Sequence, residues 1–272
     1  KGHLTPIMMR HLRSLLIGQA GRVTPAMAGP DLPRPDLPCY IVGDIHGRAD
    51  LLETMLDLID AHIGGTGAVD PQLVFVGDYI DHGPDSAAVA ARLRALTLEF
   101  PGNVTCLMGN HERMLLDFML DPTARGPRWL RQGGAATLAS YGLDPVGLDQ
   151  GATAPAWADA AARLAEAVGE ATHGWIADRP LVWHSGNLWA VHAGADPLRP
   201  MTDQSTRVLL WGHPEFDTTP RRDDAWVAHG HVEQSAPSLS DGRIGLDTGA
   251  WSTGRLTAVA IRPDGSHAFL QT

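Results

Sequence analysis

The feature that most constrains this 272-residue chain is a repeated join, in which a short apolar run stops on a glycine and gives way to Asp, Asn and His. Cys39 to Val42 leads into Gly43-Asp44-Ile45-His46-Gly47. Leu73 to Val76 leads into Gly77-Asp78-Tyr79-Ile80-Asp81-His82-Gly83. Val104 to Met108 leads into Gly109-Asn110-His111-Glu112. Apolar runs this short fit buried strands, whereas the stretch between the first two has helical spacing, with apolar positions 51, 52, 55, 56, 59 and 63. Asp50 is the expected cap of that helix, with Glu53 three residues on. Further helices are expected from about Ser86 to Leu98 and from about Glu112 to Leu120. Strands alternating with helices predict an α/β fold, a parallel or mixed sheet with helices on its faces.

The remainder of the chain divides by composition. Residues 1–37 hold a basic amphipathic stretch, Met8 to Ile17, and then Pro30, Pro33 and Pro35. They read as an N-terminal arm with one helix and an extended linker, docked on the body or on a partner subunit. Residues 38–272 form the main domain. Within it, residues 121–180 are Ala-rich, broken by Pro and Gly, and carry Trp129, Trp157 and Trp175. A helical insertion is expected there, forming a cap or one wall of a cleft, with the tryptophans as packing residues. Later apolar runs, Leu188 to Val191, Ala225 to Ala228, Arg243 to Leu246 and Leu256 to Ile261, predict more strands. Two of them lead into His192-Ala193-Gly194 and His229-Gly230-His231.

Charge and cysteine content narrow the function classes. Lys and Arg number 21 against 31 Asp and Glu, a net charge of −10, which excludes a broad nucleic-acid surface. It leaves room for an anionic substrate, because bound divalent cations supply positive charge locally. No apolar run approaches the roughly 18 residues of a membrane helix, and no secretory signal opens the chain. A cytoplasmic protein is expected, with Cys39 and Cys106 as buried free thiols.

In open α/β sheets, turns at the carboxyl ends of strands converge on the ligand site. Here those turns offer carboxylates, an amide oxygen and imidazoles, and no thiolate. Such donors suit Mn, Fe, Zn or Co and disfavour a structural cysteine-zinc site. The set is large enough for two cations sharing a carboxylate, an arrangement that activates water against a phosphoryl group.

In their order, the blocks resemble those of the phosphoprotein phosphatase superfamily of calcineurin-like binuclear metallophosphoesterases. That group includes Ser/Thr protein phosphatases and symmetrical diadenosine tetraphosphatases. The resemblance runs from about residue 40 to 262, and the closing Arg243-Ile244-Gly245-Leu246-Asp247-Thr248-Gly249-Ala250 is similar to the bacterial branch. It implies a mixed β-sandwich flanked by helices and two divalent ions, Mn²⁺ before Fe, Zn or Co. It assigns Asp44 and His46 to the first metal, Asp78 as the bridge, and Asn110, His192 and His229 to the second. His111 becomes the general acid, Asp81 its orienting partner, and His231 a neighbour of the ligands. The substrate it implies is a phosphate monoester on a protein or a small molecule. Two positions depart from the pattern. His82 stands where the family usually has Arg, and His213 stands where bacterial members commonly have another. Both arginines clamp phosphate in the family, and a bidentate, permanently charged contact is not matched by imidazole. Arg48, Arg113 and Arg131 are the candidate replacements. The departures also raise a phosphodiester or dinucleoside polyphosphate as substrate and, outside enzymes, a metal-retaining interaction protein.

Overall fold

The apolar runs pair into two five-stranded sheets, as a computed structural model describing residues 32–148 and 151–272 shows. The stretch from Met8 to Ile17 lies outside the described residues. In the first sheet β1 (Cys39–Val42), β2 (Gln72–Phe75) and β3 (Val104–Cys106) run parallel, while β9 (Thr257–Ile261) and β10 (His267–Gln271) join antiparallel, in the order β10-β9-β1-β2-β3. The second contains β4 (Val182–Ser185), β5 (Leu188–Val191), β6 (Trp226–His229), β7 (Ser238–Ser240) and β8 (Arg243–Gly245), in the order β4-β5-β6-β8-β7, with β5, β6 and β8 parallel.

Period-two alternation explains how these strands make a sandwich. Cys39 and Ile41 of β1, with Val74 and Val76, point into a core shared with Leu188, Ala190, Ala228 and Ile244 of the second sheet. Tyr40, Val42, Leu73 and Phe75 point the other way, into a helical layer. That layer contains α1 (Ala49–Thr66), α2 (Ser86–Glu99), α3 (Asn110–Leu120), α4 (Pro122–Trp129), α5 (Ala135–Ser140), α6 (Ala154–Val168) and α7 (Glu170–Ala177). Trp129, Trp157 and Trp175 are buried in it. On the outer face of the second sheet, Val191 and Val227 pack with Leu209 of α8 (Thr206–Trp211) and with Phe216. The last helix is α9 (Ala250–Thr253). Apolar side chains buried this way each contribute roughly 1.5–3 kcal/mol, so both strand faces are committed and the register is fixed. Among the described residues, no helix is long and apolar enough to cross a membrane. Cys39 and Cys106 are buried and unpaired.

The structure shifts several expected boundaries. Asp50 does not cap α1: Arg48 occupies that position, and Asp50 lies in the first turn, bound to the Arg48 guanidinium at 2.7 and 2.8 Å. The third helix begins at Asn110 rather than Glu112, because the Glu112 carboxylate reaches back to the Gly109 N–H (3.0 Å) and secures the turn before it. β6 extends one residue further than expected and ends on His229, a shift that matters for the site.

Candidate metal centre

The turns that follow β1, β2, β3, β5 and β6 close over one another. Ile45 and His46 N–H donate to Asp78 O (3.0 and 2.9 Å), and Gly230 N–H donates to His192 O (2.8 Å). His111 N–H donates to Asp78 Oδ1 and His231 N–H to Asp44 Oδ2, both at 2.9 Å. Gly230 has no substitute there, because a Cβ would collide with Asp44 Oδ1. Among the described residues, seven non-glycine residues have positive φ, and five of them (His46, Asp78, Asp81, His82, His231) belong to these turns. Such backbone costs on the order of 1–3 kcal/mol per residue, and packing sustains it here to aim side chains inward.

Hydrogen bonding fixes the protons on two rings. His46 Nδ1 lies 2.8 Å from Ile80 O and His192 Nδ1 lies 3.1 Å from Val76 O. A carbonyl only accepts, so each ring donates from Nδ1 and turns Nε2, the nitrogen a metal would take, towards the site. Burial drives His46 down to about 3, the neutral form a ligand requires. His192 Nε2 lies 2.7 Å from Asn110 Oδ1 and 3.4 Å from Asp78 Oδ2, so an imidazole nitrogen, an amide oxygen and a carboxylate oxygen converge. Asp44 Oδ1 is buried without a hydrogen-bond partner. Burial, with Asp247 and Asp78 nearby, raises the Asp44 carboxyl well above the usual range. Burial also works against ionised Asp78, but His192, His111 and His46 prevail and hold it well below its usual value. Converging carboxylate, amide and imidazole donors around a buried carboxylate oxygen that has no hydrogen-bond partner fit divalent ions. Asp44, His46 and Asp78 form one group of donors within 4.8 Å of each other, and Asp78, His192 and His231 form a second.

Beside this cluster, His111 Nδ1 donates to Asp81 Oδ2 at 2.7 Å. Asp81 also accepts from Trp129 Nε1 (2.9 Å) and Thr137 Oγ1 (2.6 Å), while its own N–H donates to Ser86 Oγ and Thr137 Oγ1 (3.0 Å each). Burial by itself would lower the His111 pKa, but the Asp78 and Asp81 carboxylates overcome it and lift it to about 9. Glu112 accepts from Asp78 N–H (2.9 Å), Tyr79 N–H (2.8 Å) and Gly109 N–H (3.0 Å), tying the second and third turns together.

Residues 37–249 match the family model of calcineurin-like phosphoesterases. The chain belongs to that family. The phosphoesterase is similar to bis(5'-nucleosyl)-tetraphosphatase PrpE [asymmetrical] of Oceanobacillus iheyensis, at 29% identity over 240 residues, 80% of this chain and 86% of that one. It is 35% identical over 91 residues to the zinc-dependent endopolyphosphatase of Saccharomyces cerevisiae, a match spanning 34% of this chain and only a quarter (25%) of that protein. A crystal structure of a protein provisionally named a diadenosine tetraphosphatase shares the fold, with a TM-score of 0.57 and 23% identity over 89% of this chain and 96% of that one. Membership of the family implies divalent metal ions, for which the clustered side chains are the candidate ligands.

The phosphoesterase brings together Asp44, His46, Asp78, Asn110, His111, Asp81 and His192, but it separates the closing pair of histidines. His229 is in neither of those donor groups. As the last residue of β6 it shares the parity of Val227, so its ring lies against Phe216 (4.9 Å) on the outer face. His231, beyond the strand and turned by its positive φ of 66°, is the one that joins Asp78 and His192.

The expected phosphate contacts divide similarly. His82 is at the site, stacked on Trp251 (4.6 Å) and 5.3 Å from the His111 ring. Burial and then the neighbouring His111 lower its pKa, so it is neutral. His213 faces Asp196 (4.0 Å). Arg48 is bound to Asp50 and to Ala250 O, Arg113 pairs with Asp117 (2.8 Å), and Arg131 is exposed. Two residues before Arg131, Trp129 is the side chain that reaches the site, through Asp81. Sequence reasoning missed it, along with Thr137 and Ser86.

Proposed function

We propose that this phosphoesterase hydrolyses phosphoric esters at a pair of divalent cations held by Asp44, His46, Asp78, Asn110, His192 and His231. The observation that carries the reading is the convergence of Asp44, His46 and Asp78, and of Asp78, His192 and His231, into two donor groups, each within 4.8 Å and both containing the Asp78 carboxylate. Mn²⁺ is the expected ion, and the N/O donor set also admits Fe, Zn or Co. When bound, such ions supply Lewis acidity and lower the pKa of water. The chain's own residues do the rest. Asp78, reaching both donor groups, spaces them. Asp81, fixed by Trp129 and Thr137, keeps the His111 proton on Nδ1 until a second proton is held at Nε2, from which the leaving oxygen is protonated. Glu112 holds the Asp78 turn in place while this happens.

Of the two substrate classes expected from the sequence, the geometry favours a phosphodiester or dinucleoside polyphosphate over a monoester. His82 is neutral, His213 faces Asp196, and Arg48 and Arg113 are already paired. A phosphoryl group with one negative charge suits that environment better than a dianion, and the Oceanobacillus relative is named for a dinucleoside substrate. Mn²⁺-loaded protein tested against an aryl phosphodiester, a dinucleoside tetraphosphate and an aryl monoester is expected to prefer the first two. No hydrolysis of any ester by protein carrying two ions per chain would refute the enzymatic reading. A preference for the monoester would refute the substrate assignment alone.

A further inference from the structure

Histidine at position 82 does more than remove a charge, because it adds a third imidazole to two others. His46, His82 and His111 each offer a ring nitrogen, and the three atoms lie within 4.8 Å of one another. The ring centroids are 4.7 Å apart for His46 and His111, 4.9 Å for His46 and His82, and 5.3 Å for His82 and His111. Ile80 O and Asp81 Oδ2 occupy Nδ1 of His46 and His111, so Nε2 is the nitrogen that both turn to the site, 3.7 and 3.8 Å from Asp78 Oδ2. The His82 ring is backed by Trp251, stacked at 4.6 Å and 22°, and Trp251 is anchored through Nε1 to Glu233 Oε1 at 2.9 Å. A tetrahedral zinc with Zn–N of about 2.0–2.1 Å sets its nitrogens about 3.4 Å apart, inside the 4.8 Å limit within which these three lie. Three imidazoles and one open position suit zinc, whereas manganese prefers more oxygen.

We propose that His46, His82 and His111 form an inhibitory zinc site, which shares His46 with the first cation position of the proposed function but replaces its carboxylates with two further imidazoles. It rests on that function for its consequence, since an ion there takes the Nε2 with which His111 protonates the leaving oxygen. It also competes with the ion at Asp44, His46 and Asp78, because both need His46 Nε2. Arginine, which has no lone pair to give, cannot build this site.

Zinc titration of the Mn²⁺-loaded chain and of H82A and H82R tests the proposal. The zinc inhibition constant is expected to weaken at least tenfold in both variants. Equal sensitivity in all three proteins would overturn it, because zinc exchanging into the Asp44, Asp78 and His192 positions would inhibit them alike. A second measurement needs neither a variant nor activity. Co²⁺ added to the metal-free chain is expected to give the intense visible bands of a tetrahedral nitrogen site, and excess Mn²⁺ is expected to bleach them through the shared His46. A tetrahedral band that Mn²⁺ leaves untouched, or no such band, would overturn the proposal. If the chain proves not to hydrolyse esters, the cobalt spectrum still decides whether the site exists.

Discussion

His111 and His82 stand 5.3 Å apart, ring to ring, and the chain constrains them very differently. His111 is bonded to Asp81, which in turn accepts from Trp129 and Thr137, so the ring is held by side chains up to 56 residues apart in sequence. His82 is held by stacking on Trp251, which is 41% exposed. One carries a pKa lifted to about 9 and the other a pKa below the ordinary value. In the proposed mechanism the flank that moves protons is fixed by buried hydrogen bonds, and the flank proposed to face the phosphate is left adjustable. On that proposal the reaction class is built into the core, whereas selectivity sits on a more exposed side-chain stack.

Breaking the fixed flank is expected to give the largest effects. Asp78 reaches both donor groups, so Asp78→Asn should lower kcat about a thousandfold, if several kcal/mol of charge stabilisation is lost. Elemental analysis should show fewer ions per chain; full metal content with activity within tenfold of the parent would remove Asp78 from the centre. His111→Gln should cost on the order of a hundredfold in kcat with a nucleotide leaving group. The loss should shrink to a few-fold with a nitrophenyl leaving group, which departs without a proton. An equal loss with both would mean that His111 is not the acid.

The same flank should reveal itself in stability when the metals are removed. Burial disfavours charged His111, but Asp78 and Asp81 outweigh it and raise the folded pKa to about 9, against about 6.5 unfolded. Since the folded pKa is the higher one, the stabilisation is fully present below about pH 6.5 and is lost as pH rises through about 9. Urea unfolding of the metal-free chain at pH 6 and pH 9.5 should show this fall, and His111→Gln should abolish this component of it. Loading with cations neutralises Asp78 and should flatten the profile. A profile identical with and without metal would show that Asp78 does not set the His111 charge.

How much of this was legible in the sequence depends on whether a residue acts near its own strand. Asp44, His46, Asp78, Asn110 and His192 each follow directly on an apolar run, and the structure brings them together because the parallel strands end at one edge. Trp129 and Thr137 gave no such signal, because their partner Asp81 lies 48 and 56 residues away and only tertiary packing unites them. His229 and His231 flank one glycine, and spacing alone cannot say which faces the site. The deciding fact is that β6 runs through His229, which gives that ring the outward parity of Val227 and leaves His231 to the inward turn. Asp50 looked like a helix cap until Arg48 took both the position and the carboxylate.

The adjustable flank yields the smallest and most selective change. His82→Arg places a permanent charge where a neutral ring now sits, beside the kinked turn in which Gly133 approaches His82 so closely that a Cβ would touch its backbone nitrogen. Gly133 can make that approach, with φ of 92°, because it has no side chain. The guanidinium therefore has to extend over Trp251 towards the phosphate and cannot fold back on the turn. One charge-assisted contact of about 1.5 kcal/mol corresponds to roughly tenfold, and a dianion gains more from it than a monoanion. The ratio of kcat/KM for an aryl monoester to that for an aryl diester should rise by about three- to tenfold, with most of the change in KM. An unchanged ratio would mean that position 82 does not face the phosphate, and the contrast between the two flanks would then lose its functional meaning.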